Sequence, residues 1–293
     1  MLHIELFHNL YTQTRETFQP ARSAPWLEDI VSRSITTPYL VHQLLAFSAL
    51  HMSTSRPNRQ EFYRYYAARL QTQALSTFKE TNLAVTHETC VPLFLFATVL
   101  GIHMLCDTLI YRENGDFHAF LKRFVDFFRL YRGARTILGE AWFMIEDTPL
   151  APSLNLGKVT FTFDGHLSGG CAKLLDLVIS ANLGADLTDT YRQAIESLQM
   201  CFNVAEGSDE RYARINGVTV WPILLKSEFG ELLEQGRPEA LVILAHYAIL
   251  LHRFRDSWLF GDSGVYVIVE AGKCLGSEWE EWLRWPNEVL RFS

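Results

Sequence analysis

Along most of this chain apolar residues recur every three to four positions, the period of a helix that buries one face. Leu40, Leu44, Phe47 and Leu50 to Met52 mark one such helix, opening after Thr36 to Pro38, and Phe62, Tyr66, Leu70, Leu75 and Phe78 mark the next. The stretch STSRPN between them predicts a helical hairpin. A third helix contains Pro92. The fourth follows ENGD at Glu113 to Asp116: Phe117, Phe120, Leu121, Phe124, Phe127, Phe128 and Tyr131 form a wide aromatic stripe, Lys122, Arg123, Asp126 and Arg129 supply its wet side, and it is predicted to end near Gly133.

The tract EDTPLAPSLNLGKVTFTFDGHLSGG, Glu146 to Gly170, breaks this rhythm with two prolines, four glycines and an alternating KVTFTFD. It predicts an irregular loop, or lid, with a short extended piece, because compact domains seldom keep so long a structureless segment unless it covers a site. Helices resume over Ala172 to Leu183, Leu187 to Phe202 and from near Tyr212. Ile223 to Leu233, Glu239 to Arg255 and Val265 to Leu275 follow, with Gly236, Gly261 and Gly264 as punctuation. Pro222 and Pro238 each fit a first helical turn, where a missing amide hydrogen costs nothing. The expected fold is all-α: one domain over residues 1–293, a bundle of roughly ten helices enclosing a hydrophobic pocket, with 146–170 as its one long irregular loop.

Composition sharpens this picture in three ways. Aromatic residues make up 13% of the chain, and so many flat side chains pack imperfectly unless something fills the gaps, which favours a pocket. A net charge of −7 without a long basic run disfavours direct nucleic-acid contact, since phosphate recognition needs a concentrated positive face. Cys90, Cys106, Cys171, Cys201 and Cys274 lie far apart with no CxxC pair, so neither a metal site nor a disulfide framework is expected. They fit buried thiols in a cytoplasmic or nuclear compartment. The run from Thr89 to Cys106 reaches the minimum length of a membrane span, but Pro92, Gly101 and His103 lower its hydrophobicity and Glu88 and Asp107 flank it, so a buried helix is expected.

Candidate chemistry is sparse. His246 and His252, six positions apart, point about 240° from each other around a helix and cannot share a metal. His103 and Asp107 share a face at i, i+4, which more often serves structure than catalysis. No nucleophile elbow, phosphate-binding loop or cofactor motif is present, and no cofactor is expected. What remains is an aromatic and sulfur-rich lining, Phe94, Phe96, Met104, Trp142, Trp221, Phe229, Tyr247, Trp258 and Phe260, with His51, His103 and His246 embedded in apolar helices. Residue by residue these read first as core. Together they suit a greasy pocket with a few polar points.

The order of landmarks then becomes specific: WP at Trp221 and Pro222, RPEALVILAHYAILL at Arg237 to Leu251, Trp258 with FGDSG ending at Gly264, and WEEWLRWP at Trp279 to Pro286. ELFHNLYTQTRETF, PYLVHQLLAFSALHMS, YAARLQTQALSTF and LYRGARTIL precede them in order. The chain resembles the C-terminal ligand-sensing domain of fungal zinc-cluster transcription factors of the sterol-uptake-control type. The resemblance implies an all-helical domain that binds a sterol-like molecule, with the helix Glu239 to Arg255 and the segment Trp258 to Gly264, including Phe260 and Gly261, beside the ligand. Such regulators carry a six-cysteine zinc cluster upstream, whereas this chain starts at Met1 where the sensing domain begins. The expectation is an excised domain or a protein that has lost its DNA-binding half.

Two functions follow as expectations: sensing of a hydrophobic polycyclic isoprenoid, sterol or terpenoid, or cofactor-free cyclisation of a terpenoid or polyketide in the same pocket, with His51, His103 and His246 as candidate hydrogen-bonding groups. A third option is an interaction module that forms a homodimer through exposed helices.

Overall fold

A computed structural model describes residues 1–17, 36–81, 84–112, 116–145, 163, 165–207 and 211–292, without the side chains of 132–138, 140, 142, 143 and 211–213. Among the described residues the regular structure is helical throughout, with no strands: α1 (Leu2–Thr12), α2 (Pro38–Ser55), α3 (Gln60–Thr81), α4 (Cys90–Ile110), α5 (Phe117–Ile145), α6 (Gly169–Ser180), α7 (Ala185–Gly207), α8 (Arg211–Leu224), α9 (Ser227–Glu234), α10 (Pro238–Arg253), α11 (Ser263–Leu275) and α12 (Arg284–Arg291). The alternating KVTFTFD and the aromatic side chain of Trp142 lie outside the described residues. Contacts gather into two compact units, one of residues 1–107 and 131–160, the other of 108–130 and 161–293.

In the first unit α2 and α3 form the predicted hairpin, turned by the short 3-10 segment Pro57–Arg59. Tyr39 of α2 meets the rings of Phe78 and Phe96 edge-on at 5.5 and 5.2 Å, while Phe78 and Phe96 stack at 4.7 Å, so aromatic contacts link α2, α3 and α4. A polar seam fixes α1 on α2. Asn9 Nδ2 donates to Ser48 Oγ and to Thr14 Oγ1, each at 3.0 Å, and Ser48 Oγ donates to the Leu6 carbonyl at 2.7 Å. Glu5 accepts from both Arg56 and Tyr63, a pairing that holds its carboxyl below the usual range, chiefly through the tyrosine hydroxyl. The helix α4, expected from its uncharged run, is long and apolar enough to cross a membrane. However, 67% of its most apolar window is buried in protein, the surroundings of a core helix.

The second unit is built around α10. Every residue from Glu239 to His252 is buried, so this helix has no wet face, and each polar group on it must find a partner in protein. The adjoining α11 packs on it through Gly264: a Cβ there would stand 2.5 Å from the His252 amide nitrogen and 2.7 Å from the Ala248 carbonyl. Only a glycine admits that approach.

Pro222 departs from expectation. It sits inside α8, near the helix end, rather than in the first turn of a later helix. A proline there cannot donate to the carbonyl four residues back, that of Val218. Tyr247 of α10 donates to this same carbonyl at 3.0 Å, so the buried hydroxyl takes the place of the lost backbone bond. Above it Trp221 stacks on the Tyr247 ring at 4.4 Å and donates its indole N–H to the Ala194 carbonyl of α7 at 3.0 Å. Two other departures are smaller. The aromatic helix α5 runs past Gly133 and Gly139 to Ile145, because each interior glycine costs only about 1 kcal/mol. Cys274 is exposed at the end of α11, while the other four cysteines are buried free thiols.

Two stability outcomes follow from these contacts. Tyr247→Phe costs about 1–3 kcal/mol, since it strands the Val218 carbonyl, and a Pro222→Ala background recovers most of that loss by restoring an amide donor. A double-mutant cycle by urea unfolding measures the coupling, and additive effects would show that the two residues do not share the carbonyl. Gly264→Ala destabilises by about 3 kcal/mol, read in the same assay.

Candidate functional site

Of the three histidines named from sequence, His103 and His246 are buried and His51 is half-buried. In the first unit His51 Nδ1 lies 2.9 Å from Thr14 Oγ1, at the end of the Asn9 seam, and burial lowers its pKa to about 4. His103 Nδ1 lies 3.3 Å from Gln43 Nε2, with the Phe47 ring 6.2 Å away, and burial lowers its pKa to about 3. Gln43 Oε1, equally buried, has no partner. In the second unit His246 donates through Nδ1 to the Val242 carbonyl at 2.8 Å; burial lowers its pKa to about 4, opposed by that bond and assisted by Lys173. All three are neutral at pH 7.

The aromatic candidates mostly satisfy one another. Phe96 is one of the stacked rings of the first unit, and Met104 of α4 is half-buried. In the second unit Trp221, Tyr247 and Phe229 form one cluster, with Phe229 edge-on to Trp221 at 5.9 Å. Burial raises the Tyr247 hydroxyl well above its usual pKa, so it remains a proton donor to Val218. Trp258, half-buried, and Phe260, buried, belong to the turn that joins α10 to α11. Gly261 in that turn adopts φ +49°, a left-handed conformation that favours glycine, and Gly264 makes the close approach already described. None of these eight residues lines the three grooves described for the second unit.

One groove has both size and mixed character. It encloses about 430 Å³ where α6, α7 and α12 meet, within the range of small-molecule sites. Its back wall is Trp285, which lies against Gly170 so closely that a Cβ there would stand 2.1 Å from the indole. The Phe202 ring is 5.3 Å from the same indole, and the His246 ring touches it at 5.6 Å. Lys173, Glu206 and Glu288 form the rim, with Glu206 paired to Arg253 at 2.6 Å. Sequence pattern identifies Trp285 only as an anchor of the C-terminus, and nothing local signals that it meets Gly170. The Cys171 thiol here is pushed up to about 12 by burial and by Glu206, so it is protonated and unreactive. The arrangement can hold a flat apolar body against two aromatic rings and offer charges at the mouth. It presents no activated nucleophile, and among the described residues no three metal-ligating side chains converge.

Residues 6–151 match the profile of the fungal specific transcription factor domain. Over 99% of the chain, it is 25% identical to a Zn(2)-C6 fungal-type transcription factor of Gibberella zeae, and over 76%, 22% identical to the Zn(2)-C6 fungal-type transcription factor afumD of Aspergillus fumigatus. The matches cover 62% and 59% of those proteins, so the chain spans about three fifths of the length of the curated relatives it matches.

The buried imidazoles make stability pH-dependent. Folded values of about 4, 3 and 4 for His51, His103 and His246 lie below the value of about 6.5 in an unfolded chain, so the unfolded state binds more protons. Their contribution is complete above pH 6.5 and is lost as pH falls through the interval down to the folded values. Urea midpoints should drop between pH 7 and 4.5, and less steeply in His103→Gln, which keeps an amide for Gln43 but cannot titrate. Midpoints that stay level over this range would show that the imidazoles are not held neutral by the fold.

Proposed function

We propose that this chain is the regulatory part of a zinc-cluster transcription factor, binding a hydrophobic polycyclic isoprenoid-type molecule, a sterol or terpenoid, and passing its occupancy on to a DNA-binding region. The observation that carries the reading is the near full-length similarity to a protein named as such a factor, joined to an all-helical fold. The chain's charge of −7 agrees with DNA contact being made elsewhere than on these residues. Nuclear or cytoplasmic residence and self-association through exposed helices belong to the same proposal.

The second unit supports a ligand-binding role. Its core packs the stacked rings of Trp221 and Tyr247, and its 430 Å³ groove joins two other rings, Phe202 and Trp285, to a polar rim. Burying a rigid multi-ring guest releases roughly 25 cal/mol per Å² of apolar surface, less the cost of association, enough to bias two helix packings that differ by a few kcal/mol. Sensing requires no activated side chain. The neutral His51, His103 and His246 and the protonated Cys171 agree with that requirement.

Thermal melting of lipid-stripped protein tests the reading. A neutral sterol or terpenoid at 100 times its dissociation constant adds about 2.7 kcal/mol, a rise in melting temperature of several degrees, while an acyclic fatty acid of equal carbon number gives less. Native mass spectrometry of unstripped protein should show an apolar guest of the same class. No shift with either class and no bound guest would remove the ligand from the proposal, and turnover of a polyene substrate would replace sensing with catalysis.

A further inference from the structure

Buried polar atoms without a partner concentrate at one place in the second unit, the corner where α10 ends and α11 begins. They are both ring nitrogens of His252, Ser263 Oγ, Tyr266 Oη and Arg112 Nη1. His252 is only 5% exposed and Ser263 not at all. Ser263 directly precedes Gly264, whose backbone packs against His252 so closely that a Cβ on the glycine would stand 2.7 Å from that of the histidine. Tyr266 lies one turn further along α11, under the Arg112 guanidinium, which is 4.6 Å from the ring centroid and also pairs with Asp262. Native folds leave few such atoms unmatched, and five of them at one corner mark a place where the protein supplies hydrogen-bonding capacity for something else.

We propose that the first turn of α11 recognises an uncharged hydroxyl group, with Ser263 and His252 as its direct partners; this rests on the reading of the chain as a binder of neutral polycyclic isoprenoids and names the polar end of the ligand. Charges of both signs surround the corner. Arg112 engages Asp262, Lys273 engages Glu270 at 2.7 Å, Asp116 caps the first amides of α5, and Arg255 donates to the His252 carbonyl. A ligand carboxylate would meet Asp262, Glu270 and Asp116, and an ammonium would meet Arg112 and Arg255, so a ligand of either charge faces like charge at this corner. Burial and Arg255 lower the His252 pKa, so its ring presents one donor and one acceptor. Ser263 offers the same pair of roles, and an alcohol is complementary to both.

The test uses the full chain stripped of lipid, with cholesterol and its 3-O-methyl ether as probes. Stripped Ser263→Ala should melt no lower than the parent, because the hydroxyl it removes has no partner in the fold. The parent should bind the alcohol about tenfold more tightly than the ether, and Ser263→Ala and His252→Leu should each erase that preference. A clear fall in the melting temperature of stripped Ser263→Ala would overturn the proposal by showing that the hydroxyl is already engaged. Equal affinity of the parent for alcohol and ether would overturn it while leaving the isoprenoid reading intact, and absence of binding to both would end the two together.

Discussion

The constraint on which the second unit depends is the complete burial of α10. A helix with one wet face can leave a misplaced polar group to solvent, but α10 has none, so its neighbours are chosen by what its side chains require. Tyr247 requires an acceptor and finds one in a carbonyl that Pro222 has freed. His246 turns back on its own helix at Val242. The end of the helix needs a neighbour without a side chain and receives Gly264. Each solution fixes another element, α8 through the tyrosine, α12 through the His246 contact with Trp285, and α11 through the glycine.

The first unit solves a similar problem by different means. Its hairpin buries most of α2, yet admits a seam of Asn9, Thr14, Ser48 and His51 in which donors and acceptors alternate. Such a seam specifies the register of α1 on α2, because sliding by one turn would strand several buried groups together. Gln43 with His103 is one exception, since its amide oxygen stays unmatched, and His42 Nδ1 on the same helix is another.

The helices α3, α11 and the start of α5 were legible because burial on one face imposes an apolar period directly on the sequence, whereas α2 and α10, buried on most or all sides, show as long apolar runs. Pro222 was misread because its local surroundings, a tryptophan–proline pair before an apolar run, also suit a helix start, while the compensating hydroxyl lies on a later helix. The groove escaped for the same reason. Gly170 reads as a loop residue and Trp285 as an anchor, and only their contact makes a wall. Composition marks the aromatic residues as pocket lining, but it does not reveal whether rings face a guest or one another. Trp221 and Tyr247 face one another.

That mutual stacking bears on how a guest would act. A cluster whose hydrogen bonds are satisfied is stable without a ligand, so occupancy cannot work by completing it. A ligand shifts an equilibrium only through contacts that differ between two packings. In the second unit the contacts left incomplete are at the α10–α11 corner, where polar atoms lack partners, and along the groove under Trp285. Both adjoin α10, whose tight fit allows little gradual deformation. Binding at either place therefore acts on the docking of α11 or α12 against a fixed axle, and a difference of about 1.4 kcal/mol between two docked arrangements changes their ratio tenfold.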